Sequence, residues 1–219
     1  MSGRRIVFWR HGRTEWNLAR RFQGQTDIPL DDVGIEQARV AARLLTGLSP
    51  TAIITSDLTR AIQTAEALAE LTGLVPSVDP RLRETDAGIW EGLVWTDLDS
   101  AYGDDLRRWA WDPHLPAGGG ETRVEVAARV TEAVRAAVDE LPDESTLVVV
   151  THGGAARAGI GQMLGLPELT WEALGVLSNC AWTVLAEKPE GQLGPGASVW
   201  RLHEYNAGSL PTPALGDDR

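Results

Sequence analysis

Two unbroken runs of β-forming residues, Ile6-Val7-Phe8-Trp9 and Leu147-Val148-Val149-Val150, each stop at a histidine and a glycine, in Arg10-His11-Gly12 and Thr151-His152-Gly153-Gly154. A run with no polar alternation suits a strand buried on both faces, and such strands belong to parallel sheets covered by helices on either side. In open sheets of that kind the ligand crevice lies beyond the carboxyl ends of the strands. Both histidines are therefore expected at one edge of one sheet.

Helical patterns separate further short runs. Asp32 to Leu48 carries apolar residues at Ile35, Ala38, Ala41, Ala42 and Leu45, and Pro50 closes the expected helix. Ala52 to Thr55 reads as a second strand, and Ser56-Asp57 as the N-cap of a helix running to about Leu71 and ended by Gly73. A third strand fits Val75 to Val78. From Thr85 to Glu121 the pattern loosens into a tryptophan-rich insertion (Trp90, Trp95, Trp109, Trp111) with one helix and a Pro116 to Gly120 loop, expected over the sheet edge. Thr122 to Leu141 and Gly154 to Leu164 read as helices, and Cys180 to Ala186 and Ser198 to Glu204 as strands around a turn-rich Glu187 to Ala197. This alternation predicts an α/β fold, a three-layer α/β/α sandwich with a mostly parallel central sheet. One domain is expected over 1–206, with the insertion at about 85–121 and a disordered tail over 207–219.

A chain of 219 residues that is 43% hydrophobic can bury one sizeable core. Cys180 is the single cysteine, which excludes an internal disulfide framework and a cysteine zinc site. It reads as a small core residue in a reducing compartment. Met1 to Arg5 followed by four apolar residues lacks the longer apolar region of a signal peptide, and no stretch is long enough to span a bilayer. A cytoplasmic protein is expected. The net charge of -11 argues against nucleic acid or an anionic membrane as a partner. The charge is uneven, however: Arg4, Arg5, Arg10, Arg13, Arg20 and Arg21 face a single acid, Glu15, in the first part of the chain. Arg4, Arg5, Arg20 and Arg21 read as a solvated face, while Arg10 and Arg13, flanking His11, read as an anion pocket.

Arg10 and Arg13 supply guanidinium donors beside His11, Gly12 permits close backbone approach, and Thr14 to Asn17 resembles a first helical turn, whose open N–H groups favour anions. Arg60 sits about one turn into the second helix, where it either points back over the strand tip or pairs on the surface with Glu66 or Asp57. Glu84 either pairs with Arg81 or Arg83, or serves as the proton donor that departure of a poor alkoxide leaving group requires. His152 repeats the strand, histidine, glycine, helix order and aims a second helix N-terminus at the same anion. A metal set of His11, His152 and Glu84 is disfavoured because Arg10 and Arg60 would crowd the cation. Each of the four tryptophans either stacks on a sugar or packs in the interior. His114 and His203 read as loop and core residues without a role.

Together, R-H-G-x-T-x-x-N at Arg10 to Asn17, S-D-L-x-R-A-x-Q-T-A at Ser56 to Ala65, L-R-E at Leu82 to Glu84 and H-G-G at His152 to Gly154 resemble the histidine phosphatase superfamily, the phosphoglycerate mutase-like fold. The resemblance covers the chain up to about Asn206. It implies that His11 is a nucleophile forming a phosphohistidine, and that Arg10, Arg60 and His152 hold the equatorial phosphate oxygens. It implies that Glu84 protonates the leaving alkoxide and later activates water. Asn17, Gln23, Gly24 and Gly153 match positions that reach the phosphate or the adjoining substrate, and no metal or cofactor is implied. A His152 protonated in the substrate complex would give a bell-shaped pH profile. Gly88-Ile89-Trp90-Glu91-Gly92 has the G-x-W-E-G form of the phosphatase branch in place of the R-H-Y-G of cofactor-dependent phosphoglycerate mutases. The expected substrate is a small phosphomonoester, a sugar or sugar-acid phosphate such as glucosyl-3-phosphoglycerate. A mutase and an inactive phosphate-binding module are the other readings. An exposed sheet edge near the last strands offers a surface for a homodimer.

Overall fold

The computed structural model describes residues 3–189 and 198–208. Among these, six strands form one sheet: β1 (Arg5–Arg10), β2 (Ala52–Thr55), β3 (Ser77–Val78), β4 (Thr146–Thr151), β5 (Trp182–Glu187) and β6 (Trp200–Ala207), in the order β3-β2-β4-β1-β5-β6. The first four pair in parallel, and β5 and β6 are antiparallel additions at one side. β1 and β4 lie side by side with Arg10 opposite Thr151, so His11 and His152 leave the sheet at the same edge.

Successive side chains of a strand point to opposite faces, and the apolar runs divide accordingly. Ile6, Phe8, Ile54, Leu147 and Val149 pack on one face against α5 (Arg123–Asp139) and α6 (Gly153–Met163). Val7, Trp9, Ile53, Val148 and Val150 pack on the other against α2 (Asp32–Leu45) and α3 (Thr59–Thr72). Every side chain from Ile6 to Trp9 and from Leu147 to Val150 is fully buried. Each of the larger ones contributes about 1.5–3 kcal/mol by leaving water. The continuous apolar spelling thus records helices on both faces.

The expected helix to Leu48 ends as an α-helix at Leu45 and tightens into a 3-10 turn over Thr46–Leu48. The third strand is cut to Ser77–Val78: Pro76 has no N–H to give a ladder, and Val75 stands 88% exposed at the sheet edge. Ser56 and Asp57 do not cap α3. The Asp57 carboxylate is held by Arg83 at 2.5 Å, and Asp27, far back in the chain, accepts from the Thr59 N–H at 2.8 Å instead. β5 starts at Trp182 because Ser178 and Ala181 close a turn with Cys180 at a positive φ of 58°. Cys180 is buried as expected, and burial pushes its thiol pKa up. β6 carries the pairing on to Ala207, so the expected tail from 207 begins inside a strand, and 209–219 lie outside the described residues, as do 190–197 of the turn-rich segment. His203 faces outward on β6 and is no core residue.

The insertion folds α4 (Trp95–Trp111), interrupted at Tyr102, over a third small core of Ala87, Trp90, Leu98, Leu106, Trp109 and Ala117. Trp90 packs edge-on against Trp109 at 5.8 Å, and Phe22 reaches Trp90, Trp95 and Trp109. Trp111 is exposed. No helix among the described residues is long and apolar enough to cross a membrane.

Candidate active site

Beyond the carboxyl ends of β1 and β4 lies a cavity lined by Arg10, His11, Gln23, Gly24, Arg60, Glu84 and Gly153 from the expected set. His152 sits behind it, fully buried, its ring 5.1 Å from that of His11. Asn17 does not line the cavity. Its Oδ1 closes a capping box with Thr14 at the start of α1 (Glu15–Leu18), and the Thr14 hydroxyl in turn donates to Gln23 at 3.0 Å. Arg13, expected in the anion pocket, turns away to pair with Asp31 at 2.8 Å. Gly12 is required by a neighbouring backbone: a Cβ there would stand 2.4 Å from the Gly34 carbonyl oxygen. Arg4 and Arg5 are half-buried, Arg4 against Glu187 and Arg5 on the Leu48 carbonyl, while Arg20 and Arg21 remain on the exposed face.

The two histidines have different tautomers, set by what each faces. His11 Nδ1 lies 2.7 Å from the Gly12 carbonyl oxygen, which can only accept. Nδ1 therefore carries the proton and Nε2 the lone pair. His152 Nδ1 lies 3.2 Å from Arg60 Nε, which can only donate, so Nδ1 carries the lone pair there and Nε2–H donates to Ser56 Oγ at 2.9 Å. Burial, then Arg60 and Arg10, hold the His11 pKa well below 6.5. Burial, then Arg60, hold His152 well below 6.5 too, with smaller contributions from His11, Arg129 and Arg10. Both rings are neutral at neutral pH.

Arg60 is fully buried, far from the surface pairing with Glu66 or Asp57. Its Nη atoms donate to the Thr26 and Gly24 carbonyls, both at 2.8 Å. The loop that offers those carbonyls is tied down by Glu91, which accepts from the Gln25 and Thr26 N–H groups and the Thr26 hydroxyl. Gly24 has φ +52° and leaves no room for a Cβ beside Glu91. Arg10 donates to the Leu177 carbonyl at 2.6 Å.

Glu84 pairs with neither Arg81 nor Arg83, which are taken by Asp79, Glu132 and Asp57. Its carboxylate accepts instead from the N–H groups of Thr85 (2.8 Å), Gly154 (2.9 Å) and Ala155 (2.9 Å), across the first turn of α6. Arg129 fixes the backbone beneath it, donating to the carbonyls of Arg81, Arg83 and Glu84 while paired with Glu121 at 2.8 Å.

Trp109, one of the four tryptophans read as either sugar-stacking or interior, lines the cavity, and two arginines there, Arg123 and Arg157, went unforeseen in the sequence, as did Phe22, Thr85 and Val176. Arg123 stacks over Trp109 with its guanidinium carbon 4.1 Å from the ring centroid. A signal existed for each arginine. Arg123 is a cation in the first turn of α5, against the helix dipole, and Arg157 follows Gly153 by four positions, on the same helix face. Among the described residues, four arginines and one carboxylate line the cavity, in a chain whose net charge is -11. Such a cavity selects anions. Among the described residues no group of three or more His, Cys, Asp or Glu side chains is placed to hold a metal ion.

A six-stranded mostly parallel sheet with a histidine and an arginine cradle at its carboxyl edge is the architecture of a phosphoryl-transfer enzyme of the phosphoglycerate mutase-like fold. The family model described as the Histidine phosphatase superfamily (branch 1) matches residues 6–193, and the chain belongs to that family and is a phosphatase. It is 40% identical to a glucosyl-3-phosphoglycerate phosphatase of Mycolicibacterium vanbaalenii over 94% of this chain and 96% of that one. A Yersinia pestis protein named "Probable phosphoglycerate mutase GpmB" is 38% identical over 97% of both chains. The solved structure of a mycobacterial glucosyl-3-phosphoglycerate phosphatase complexed with VO3 superposes with a TM-score of 0.84 at 42% identity, covering 94% of this chain and 100% of that one.

Proposed function

We propose that this phosphatase hydrolyses a phosphorylated sugar acid, with glucosyl-3-phosphoglycerate as the first substrate to examine, through a phosphohistidine on His11. The observation that carries the reading is the tautomer of His11: the Gly12 carbonyl takes Nδ1–H, so the Nε2 lone pair is left for phosphorus in an arginine-lined cavity. In the first half-reaction the Nε2–P bond forms and the ester P–O bond breaks. Glu84 gives its proton to the departing alkoxide. In the second, Glu84 takes a proton from water, whose oxygen attacks phosphorus as the N–P bond breaks, releasing phosphate and restoring the acid.

Arg10 and Arg60 offset the charge that spreads over the equatorial oxygens. His152 acts through Arg60, accepting from its Nε and so orienting the guanidinium. Gln23, Gly24 and the Gly153 N–H at the start of α6 adjoin the bound phosphate, and Asn17 holds the Thr14 to Gln23 chain behind it. The substrate class is supported by the relatives named above and by cations in excess of what one phosphate needs.

The reaction as written uses no metal or organic cofactor, and full activity in chelator is expected. The buried lone Cys180 suits a reducing cytoplasm, and the exposed edge of β6 offers a homodimer surface. The test is phosphate release from glucosyl-3-phosphoglycerate, 3-phosphoglycerate, simple sugar phosphates and a phosphoserine peptide. The expected order puts the sugar acid first. Preference for the peptide, or phosphoryl exchange between phosphoglycerates without release of phosphate, overturns the reading. His11→Ala is expected to lose both turnover and the acid-labile phosphoenzyme.

A further inference from the structure

We infer that Arg157 is the specificity-determining residue for a carboxylate on the substrate, a second anion held beside the phosphate. The inference rests on the phosphatase reading above and adds to it which half of the substrate the rest of the cavity recognises. Arg157 is 9% exposed, lines the cavity, and its side chain makes no hydrogen bond, ion pair or ring contact with any described residue. Every other buried arginine of the site is engaged: Arg60 and Arg10 on backbone carbonyls, Arg123 over Trp109. A guanidinium whose stem is buried and whose unpaired donors face a cavity is placed to receive an anion that enters it. Among the described residues Glu84 is the only carboxylate lining the cavity, and both of its oxygens already rest on N–H groups of the chain.

Position gives the chemistry of the anion. α6 begins at Gly153, against Arg10, and Arg157 stands one helical turn further along the same face, a rise of about 5–6 Å. Two anionic groups joined by a short carbon chain span that separation. One guanidinium matches one carboxylate in charge and in its fork of donors. Arg123 and Trp109, reaching the same cavity from α5 and α4, supply a further cation and an apolar wall on that side. A phosphorylated acid therefore fits the cavity better than a neutral sugar phosphate.

The experiment compares 3-phosphoglycerate with glycerol 3-phosphate, which replaces the carboxylate by an alcohol, on the wild type, R157Q and R157K. The wild type is expected to prefer the acid by about tenfold or more in kcat/KM, mostly through KM. R157Q is expected to bring that ratio close to unity, and R157K to retain part of it. A wild-type ratio near unity overturns the inference, as does an R157Q that lowers both substrates equally, the mark of a structural role. Should R157Q fail to fold, the wild type alone decides: the methyl ester of 3-phosphoglycerate must be the poorer substrate, and an ester as good as the acid refutes the carboxylate site. If the wild type releases phosphate from none of these and from p-nitrophenyl phosphate neither, the phosphatase reading itself has failed and takes this inference with it.

Discussion

Gly154→Ala tests whether the seat of Glu84 matters to the chemistry. Alanine in a helix is ordinarily the better residue, by up to about 1 kcal/mol. Here its Cβ would stand 2.8 Å from Glu84 Oε1, 3.4 Å from the carboxyl carbon and 3.5 Å from Oε2. Carbon and oxygen that are not bonded need about 3.3 Å or more, so Oε1 must retreat by roughly half an ångström. It then loses its 2.9 Å bond from Ala155 N and tilts away from Gly154 N. Hydrogen bonds to a charged group contribute about 1.5–3 kcal/mol each. Against this stand the helix gain and the rehydration of a carboxylate that can swing toward the cavity. The net loss of stability comes to about 1–2 kcal/mol, a few degrees in Tm for a chain of this length. The catalytic loss is far larger, about 10²–10⁴-fold in kcat for an alkyl phosphomonoester, the usual weight of a displaced general acid. With p-nitrophenyl phosphate, whose leaving group needs no proton, one equivalent of nitrophenol is expected in a burst, followed by slow turnover as the phosphohistidine waits for its base. A folded Gly154→Ala enzyme with alkyl-ester kcat within threefold of wild type would refute the assignment of Glu84.

Stability is expected to fall as pH drops below about 6.5, because both histidines have depressed folded-state pKa values while the unfolded chain binds protons there; each adds about 1.4 kcal/mol per pH unit to the slope until its folded pKa is passed. Urea midpoints between pH 7.5 and 5.5 measure this, and His11→Gln should shed one histidine's share of the slope. Gly12→Ala is expected to yield no folded protein, since the obstacle at 2.4 Å is the Gly34 backbone and not a movable side chain; a soluble variant with native circular dichroism would contradict the close approach. Glu91→Ala removes the acceptor for Gln25 and Thr26, and the loosened loop is expected to raise KM about tenfold with kcat less affected. An unchanged KM would free the loop from any part in binding.

The strands and histidine turns were legible because burial on two faces leaves a continuous apolar spelling that needs no knowledge of the rest of the chain. β1, β2 and β4 follow that rule. What local pattern missed depends on partners distant in sequence. Asp57 has the right chemistry to cap α3, yet Arg83 claims it and Asp27 caps in its place. Arg13 is as near His11 as Arg10 is, but Asp31 at the head of α2 draws it off. Gly12 was read as permitting close backbone approach, and what the sequence left open was the partner, the Gly34 backbone at the head of α2. Arg123 and Arg157 lie on different helices, and the packing of α5 on α6, with Trp109 of the insertion stacked on Arg123, brings them to one cavity.

The two histidine turns show most clearly what sequence leaves open. Each is a strand end, a histidine and a glycine, and nothing local separates nucleophile from support. The separation comes from an acceptor-only carbonyl against His11 Nδ1 and a donor-only guanidinium against His152 Nδ1. Arg60 is thus common to both: it dictates the His152 tautomer by contact and, after burial, is the largest influence lowering each ring's pKa. Arg60→Met keeps the buried volume similar while removing the charge. Both histidines should then titrate at higher pH, nearer 6.5, and His152 is released to take either tautomer. Imidazole resonances followed by NMR from pH 4 to 8 would report this directly, without reliance on turnover, which the loss of a phosphate ligand lowers in any case. Unmoved titration curves in a folded Arg60→Met protein would mean that burial and the remaining neighbours keep the rings neutral and that the nucleophile's readiness owes nothing to Arg60.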